Sequence, residues 1–321
     1  LTVAGNGIRL GLIGAGRWGR NYIKTIAAID GLRLARLASR NPESRSLVDE
    51  ECTVSSDWKE VSEARDIDGV IVATPPALHA EMTESAVAGG RSVLVEKPLT
   101  LDLGRARALR RFVADRHGFV MVEHTLLFHP ACRRLKELAP GLGPVRAIGA
   151  ELGQRGPHRK DTPVLWDWGA HAVAFCLDLM GVPPEAAAAE CLEQRLVEDG
   201  RQENYLLRLI FSGDVSADIR IGNKMDRRRR FAVHFDTAVL VYDDLVAATL
   251  TRHPPTADFA DPEGAGEAIG VPRTPPLEVA VREFGQAIAG KSRDLVSLDL
   301  GVAVVSVLAD CGGNPSVPSH L

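Results

Sequence analysis

No apolar run in this 321-residue chain approaches the roughly 20 residues that cross a bilayer, and the opening "LTVAGNGIRLGLIG" has no basic n-region leading into an apolar stretch of the kind that directs export. Charge of one sign is lacking too. A net charge of -4 and a pI near 6.2 leave no electrostatic footprint for nucleic acid or an anionic membrane surface. The five cysteines, Cys52, Cys132, Cys176, Cys191 and Cys311, include no C-x-x-C pair, so neither a zinc site nor a redox dithiol is expected, and their odd number suits a reducing cytoplasm. Internal repeats and low-complexity tracts are absent as well. What remains is a cytoplasmic protein without membrane or nucleic-acid partners and without metal, whose partner is a small solute.

Hydrophobic residues make up 45% and charged residues 25%, the ordinary balance of a globular protein, and the length fits two domains. From Ile8 to Val122 short apolar runs alternate with helical segments. Strands are expected at Arg9–Ile13, Leu32–Ala38, Gly69–Ala73, Ser92–Val95 and Phe119–Val122, with helices over 17–29, 43–51, 57–64, 77–88 and 102–116. This pattern predicts a doubly wound α/β domain over 1–122 with a parallel sheet. After Pro130 the texture changes: a helix over 131–138, a strand near 145–152, a helix over 168–180, then strand-like runs at 186–197, 203–211, 214–222, 229–236 and 238–242 joined only by turns. Consecutive strands without helices predict a mostly antiparallel open sheet in an α+β domain over 123–321. The stretch 251–276 holds six of the 19 prolines and reads as a long surface loop, before helices near 275–289 and 299–310.

"IRLGLIGAGRWGRNY" places Gly14-Ala15-Gly16-Arg17-Trp18-Gly19 between a strand and a helix. Such a loop can seat a pyrophosphate, because the first glycine turns tightly, the second lets the backbone approach and the third lets helix pack on strand. Dinucleotides that carry a 2′-phosphate favour an arginine about 20 residues onward over an acidic group. Ser39 and Arg40 stand there, so NADP is favoured over NAD; the competing reading is that Arg40 is a solvated loop charge. In "VIVATPPALHAEM" the prolines stop the third strand, and Thr74 and Pro75 are expected along the cofactor path. His79 follows in the first turn of the next helix, either as a ligand contact or as a satisfied surface histidine. "VLVEKPLT" then ends an apolar strand on Glu96-Lys97-Pro98. A lysine at the carboxyl edge of a parallel sheet can hydrogen-bond a reacting oxygen and stabilise its developing charge. Glu96 can pair with it or touch the nicotinamide ribose.

Glycine loop, "ATPPALHA" and "EKP" in this order resemble the glucose–fructose oxidoreductase / inositol 2-dehydrogenase / rhizopine-catabolism family, usually called Gfo/Idh/MocA. The resemblance implies a Rossmann domain followed by an α+β domain whose open sheet often forms the oligomer interface, hence a homodimer or homotetramer. It also implies an Asp-x-x-x-His motif on a helix of the second domain. "VLWDWGAH" supplies Asp167 and His171, one helical turn apart. The resemblance makes His171 the acid/base on the reacting hydroxyl and Asp167 its orienting partner, and leaves open whether Lys97 or His171 is the formal base. "EHTLLFHPACRRL" resembles the "GHTF-Y-x-P" segment of related nucleotide-sugar 3-dehydrogenases, matching His124, Thr125 and Pro130, with Glu123 where a glycine is usual. His124 is therefore a substrate-contact candidate. Arg155 and Arg159 in "GQRGPHRKD" either hold an anionic substrate group or sit on a solvated loop. The function expected is NAD(P)-dependent hydride transfer to or from a secondary alcohol or ketone of a sugar, nucleotide sugar or polyol. The rivals are a silent NAD(P)-binding regulator on the same fold and an NAD-assisted glycoside hydrolase.

Overall fold

The apolar runs of the N-terminal part lie side by side in one parallel sheet, and helices on its faces let the central strands be apolar throughout. The computed structural model describes residues 7–312 apart from 199, 259–263 and 265. In chain order the first sheet takes β1 (Ile8–Ile13), β2 (Leu32–Ala38), β3 (Thr53–Ser55), β4 (Gly69–Val72), β5 (Ser92–Glu96) and β6 (Val120–Glu123), arranged β3-β2-β1-β4-β5-β6. All neighbouring pairs are parallel. The connecting helices are α1 (Gly19–Ala27), α2 (Lys59–Ser62), α3 (His79–Ala88) and α4 (Leu103–Asp115). This order reverses between β1 and β4, which places a crevice at the carboxyl ends of those strands.

Two local expectations differ. Where a helix was expected over 43–51, Pro42–Leu47 forms a 3-10 turn started by the Asn41 side chain, which accepts from the Glu43 backbone N–H. "PESRSL" carries one apolar side chain, too few to bury a helical face. The strand β3, three residues long, was not foreseen.

Contacts divide the chain into two compact units. Among the described residues, 7–125 group with Pro275–Val305, and Leu126–Thr274 group with 306–312. The sequence alone would put one boundary at 122/123, whereas α7 (Pro276–Ala289) and the start of α8 (Val296–Gly312) belong with the first unit. Gly69 on β4 accounts for part of this: a Cβ there would lie 2.6 Å from Ile288 Cδ1 and 2.9 Å from Phe284 Cζ, so α7 packs where the strand has no side chain.

The second unit contains α5 (Pro130–Leu138), β7 (Val145–Gly153), α6 (Val164–Met180), β8 (Ala186–Val197), β9 (Gly200–Phe211), β10 (Val215–Gly222), β11 (Arg228–Phe235), β12 (Val239–Asp243), β13 (Leu250–His253) and β14 (Glu267–Ala268). Its eight-stranded sheet runs β14-β13-β12-β11-β7-β10-β9-β8. Among the described residues only the β7–β10 pair is parallel. Leu207, Leu209, Ile219, Ile221, Phe231 and Val233 are fully buried on alternate positions, the period expected of a sheet with one face in the core. The strands β13 and β14 fall inside the stretch read as a loop. Leu250 and Thr251 are buried against β12, and Pro254-Pro255 ends the pairing, so proline density marked the strand's end and masked the strand. Part of that stretch, 259–263 and 265, lies outside the described residues.

Candidate active site

The glycine loop divides its work as its spacing demands. Gly14 has φ +103°, and a Cβ there would sit 2.5 Å from the Ala73 carbonyl oxygen of the strand-end loop after β4; at Gly19 a Cβ would collide with the Gly14 carbonyl oxygen. These two glycines let β1, the loop and α1 close on one another. A Cβ on Gly16 would meet no atom within 4 Å, and the residue is exposed, so the backbone there is open to a ligand. With α1 opening behind it, the loop fits a pyrophosphate. Arg17 and Trp18 are exposed at the same turn.

A cleft beside the loop is lined by Ala15, Gly16, Arg17, Arg20, Asn21, Lys24, Ser39 and Asn41. Three cations and no carboxylate border it. Arg40 is exposed and is not among these residues, so the cationic side chains of the cleft come from the loop and α1 instead. Arg20 and Lys24 were missed in the sequence. Their signal was the spacing, Arg20 three residues after Arg17 and Lys24 four after Arg20, which puts all of them on one side of the helix start. The Ser39 hydroxyl lies 2.8 Å from that of Ser44 and accepts from Asn41 N–H at 3.2 Å, fixing the turn at the cleft edge.

Thr74 and Pro75 follow β4 as expected, and Pro75 is exposed. His79 is fully buried. Its Nδ1 is 2.9 Å from the Pro98 carbonyl oxygen and its Nε2 2.8 Å from that of Thr74, so it straps together the loops after β4 and β5. Both ring nitrogens therefore face backbone carbonyls of those two loops, and the side chain is buried instead of lying at the surface.

At the end of β5 the structure gathers an acidic, water-poor cluster. Glu96 and Glu123 are register partners on β5 and β6, 7% and 0% exposed. Tyr22 on α1, itself fully buried, donates its hydroxyl to Glu96 Oε1 at 2.7 Å, and the Thr125 hydroxyl donates to Glu123 Oε2 at 2.6 Å. Burial pushes both carboxyls well above the usual range; for Glu96 the Tyr22 hydrogen bond and the Lys97 charge offset part of that rise, and for Glu123 the charge of Glu96 adds to it. His124 is 1% exposed, and burial, with Lys97 close by, pushes it down to about 3, so it stays neutral. Lys97, half-buried, is the cation whose charge reaches Glu96, Glu123 and His124.

In the second unit Asp167 and His171 share α6, one turn apart. The helix begins at Val164, a turn earlier than expected, so Asp167 lies in its first turn and is not its cap. Glu203 on β9 does that work: 1% exposed, it accepts the Val164 N–H at 3.0 Å and the Gln194 side-chain amide at 2.8 Å. This carboxylate, 39 residues along the chain, was hidden in a strand pattern. Trp168 carries the Arg229 guanidinium 4.1 Å above its ring and lies 6.2 Å from the His171 ring. Arg229 is pinned to the Gly153 and Arg228 carbonyls, and burial lowers its pKa. Arg159 forks onto Asp161 with two 3.0 Å bonds and stands 3.5 Å from Asp167. Arg155 is the outlier. Its side chain is 84% exposed and pairs with Asp226 on the surface. Among the described residues no group of three His, Cys, Asp or Glu side chains is arranged to hold a metal.

A parallel sheet in this order, closed over this glycine loop and followed by an antiparallel-sheet unit, defines a dinucleotide-binding protein of two-unit type. A family model described as "Oxidoreductase family, NAD-binding Rossmann fold" matches residues 8–124. A crystal structure of a candidate oxidoreductase from Magnetospirillum magnetotacticum MS-1 is 45% identical, with a TM-score of 0.91 over 96% of this chain and 100% of that one. UDP-N-acetylglucosamine 3-dehydrogenase of Acidithiobacillus ferrooxidans is 32% identical over 178 residues, 55% of this chain and 56% of that protein. Inositol 2-dehydrogenase of Rhizobium meliloti is 32% identical over 125 residues, 38% of either chain. The aligned part thus spans about half of the first of these two relatives and less of the second. The chain belongs to the Gfo/Idh/MocA family.

Proposed function

We propose that this protein is an NADP-linked oxidoreductase acting on a secondary alcohol or ketone of a sugar, nucleotide sugar or polyol. The observation that carries the reading is the lysine at the carboxyl edge of β5, set among buried acids in the same unit as the glycine loop. The nicotinamide, when bound, supplies or accepts the hydride. Lys97 hydrogen-bonds the reacting oxygen and stabilises the charge that develops on it. His171, oriented by Asp167, takes or returns the hydroxyl proton, work for which an imidazole is suited near neutral pH. The activities for which the two enzyme relatives are named, on a nucleotide sugar and a polyol, support the substrate class.

The preference for NADP is supported by a cleft bordered by Arg17, Arg20 and Lys24 with no acid to repel a 2′-phosphate. Replacing Arg20 and Lys24 together by Ala is expected to weaken NADPH about tenfold or more, roughly the loss of one charged hydrogen bond, and to leave NADH nearly unchanged. Equal losses for both cofactors, read by nicotinamide fluorescence, would remove the phosphate assignment. Five free cysteines support a reducing compartment, the cytoplasm. The solvent-side face of the second sheet, with Glu151, Arg208, Asp218, Arg220 and Arg230 around one depression, is the surface through which a homo-oligomer would form, a point for light scattering to decide.

A screen of free sugars, nucleotide sugars and polyols against each cofactor, read as nicotinamide absorbance, tests the whole reading. Turnover with at least one member supports it. Tight NADPH binding with no turnover across the panel would favour a silent regulator, and sugar cleavage without net cofactor change would favour glycoside hydrolysis.

A further inference from the structure

The buried edge below Lys97 holds more acid than one lysine can balance. Glu96 and Glu123 occupy facing positions on strands roughly 5 Å apart and project to the same side of the sheet. Glu123 is fully buried and Glu96 nearly so. Each has one hydroxyl donor, from Tyr22 and from Thr125, but Glu123 Oε1 has no hydrogen-bond partner among the described residues, and neither does either ring nitrogen of the adjacent His124. The other groups facing the pair are Trp18 and Tyr22 from the start of α1, Lys97 from the end of β5, and His124 and Thr125 after β6. His79, from α3, has both nitrogens committed to carbonyl oxygens. From α8, Ser297 accepts the Val122 N–H, and Asp299 is paired with Arg110. Among the described residues Lys97 is the cation whose charge reaches both carboxyls.

Two ionised carboxylates at facing positions, buried, with one ammonium near them would leave a net buried negative charge, which costs several kcal/mol. Such pairs hold a proton in common instead. We propose that Glu123 is a positioning residue that holds one proton jointly with Glu96 through their mutual charge repulsion, so that the edge carries a single negative charge matched to the Lys97 ammonium, which can then turn toward the reacting oxygen. Loss of the shared proton gives the edge a second negative charge, which draws Lys97 back onto the carboxylates. The alkaline limb of the rate profile then belongs to the pair. Burial raises both groups toward the range where this matters, Glu96 to about 7. This inference rests on the assignment of Lys97 above.

The experiment uses Glu123→Gln, which keeps the shape and a group able to meet Thr125 but removes one charge. Side-chain carboxyl carbons of the wild-type protein, followed by NMR from pH 5 to 9, are expected to include a pair that titrates near neutrality, a signal that disappears in the variant. In the pH profile of kcat/KM the alkaline limb of the variant is expected to move up by about one unit or more, since one pair of like charges is gone. A role in packing alone would lower the rate evenly at all pH values and leave the limb in place. Two ionised carboxyls at pH 6 in the wild type would overturn the proposal even if the variant failed to fold, and so would an unmoved limb. Lys97→Ala separates the two readings: near-normal turnover there with the shared titration intact would remove Lys97 from catalysis while leaving the proton-sharing pair standing.

Discussion

The two clusters use the same kinds of side chain under opposite solvation. At the end of β5 the carboxyls of Glu96 and Glu123 are shut away from water, meet hydroxyl donors, and rise in pKa because burial outweighs the nearby ammonium. On α6 the Asp167 carboxylate is 21% exposed, lies in the first turn where the helix dipole favours a negative charge, and has the Arg159 guanidinium 3.5 Å away. The first arrangement makes charge scarce and its proton count adjustable. The second sets a carboxylate beside a guanidinium, one helical turn from an imidazole. The residue types do not differ; what surrounds them does.

That contrast can be broken most severely on α6. His171→Asn is expected to lower kcat by about 10²–10⁴-fold, the range for a lost acid/base group. It should also remove the titration of the imidazole from the rate profile; a rate within a few-fold of wild type would leave the first unit as the sole catalytic cluster. Glu203→Gln sharpens the same half. Removing the buried carboxylate that caps α6 is expected to cost about 1–3 kcal/mol in urea unfolding, as a charged hydrogen bond to a backbone donor is weakened. An unchanged midpoint would mean that the helix start needs no long-range cap.

A smaller effect probes the first cluster by pH. His124 is held neutral by burial, with a folded pKa near 3 against 6.5 for an ordinary histidine. Below about pH 6.5 the unfolded chain takes up a proton that the folded chain refuses, so this histidine makes stability fall as the pH drops from 6.5 toward 3. His124→Asn is expected to flatten the stability curve between pH 6.5 and 5 by up to about 1.4 kcal/mol per unit. Parallel curves for the two proteins would show that His124 is solvated.

Much of this was legible in the sequence where a residue has one mechanical task. Gly14, Gly16 and Gly19 each answer a separate steric demand, and the structure meets all of them. The apolar run into Glu96-Lys97 ended where a strand's carboxyl edge should be, and Asp167 and His171 lay on one helix. Long-range chemistry was not legible. Nothing local marks Glu203 as the cap of a helix 39 residues away, or Glu123 as the buried partner of Glu96, since both sit in strand patterns whose neighbours are set by topology. Arg40 reads as the phosphate contact from its position in the chain; it is exposed, and Arg17, Arg20 and Lys24, two of which that reading did not single out, border the cleft beside the loop. The return of α7 to the first unit was also hidden, because the glycine that admits it lies on β4, more than 200 residues earlier.

The most direct measurement compares NADPH binding and turnover in Lys97→Ala and the wild type, using the best substrate of the panel. The account predicts unchanged NADPH affinity and a fall in kcat of about 10²–10³-fold, the loss that follows removal of a donor to a developing negative charge. Turnover at the wild-type rate with the ammonium gone would contradict it.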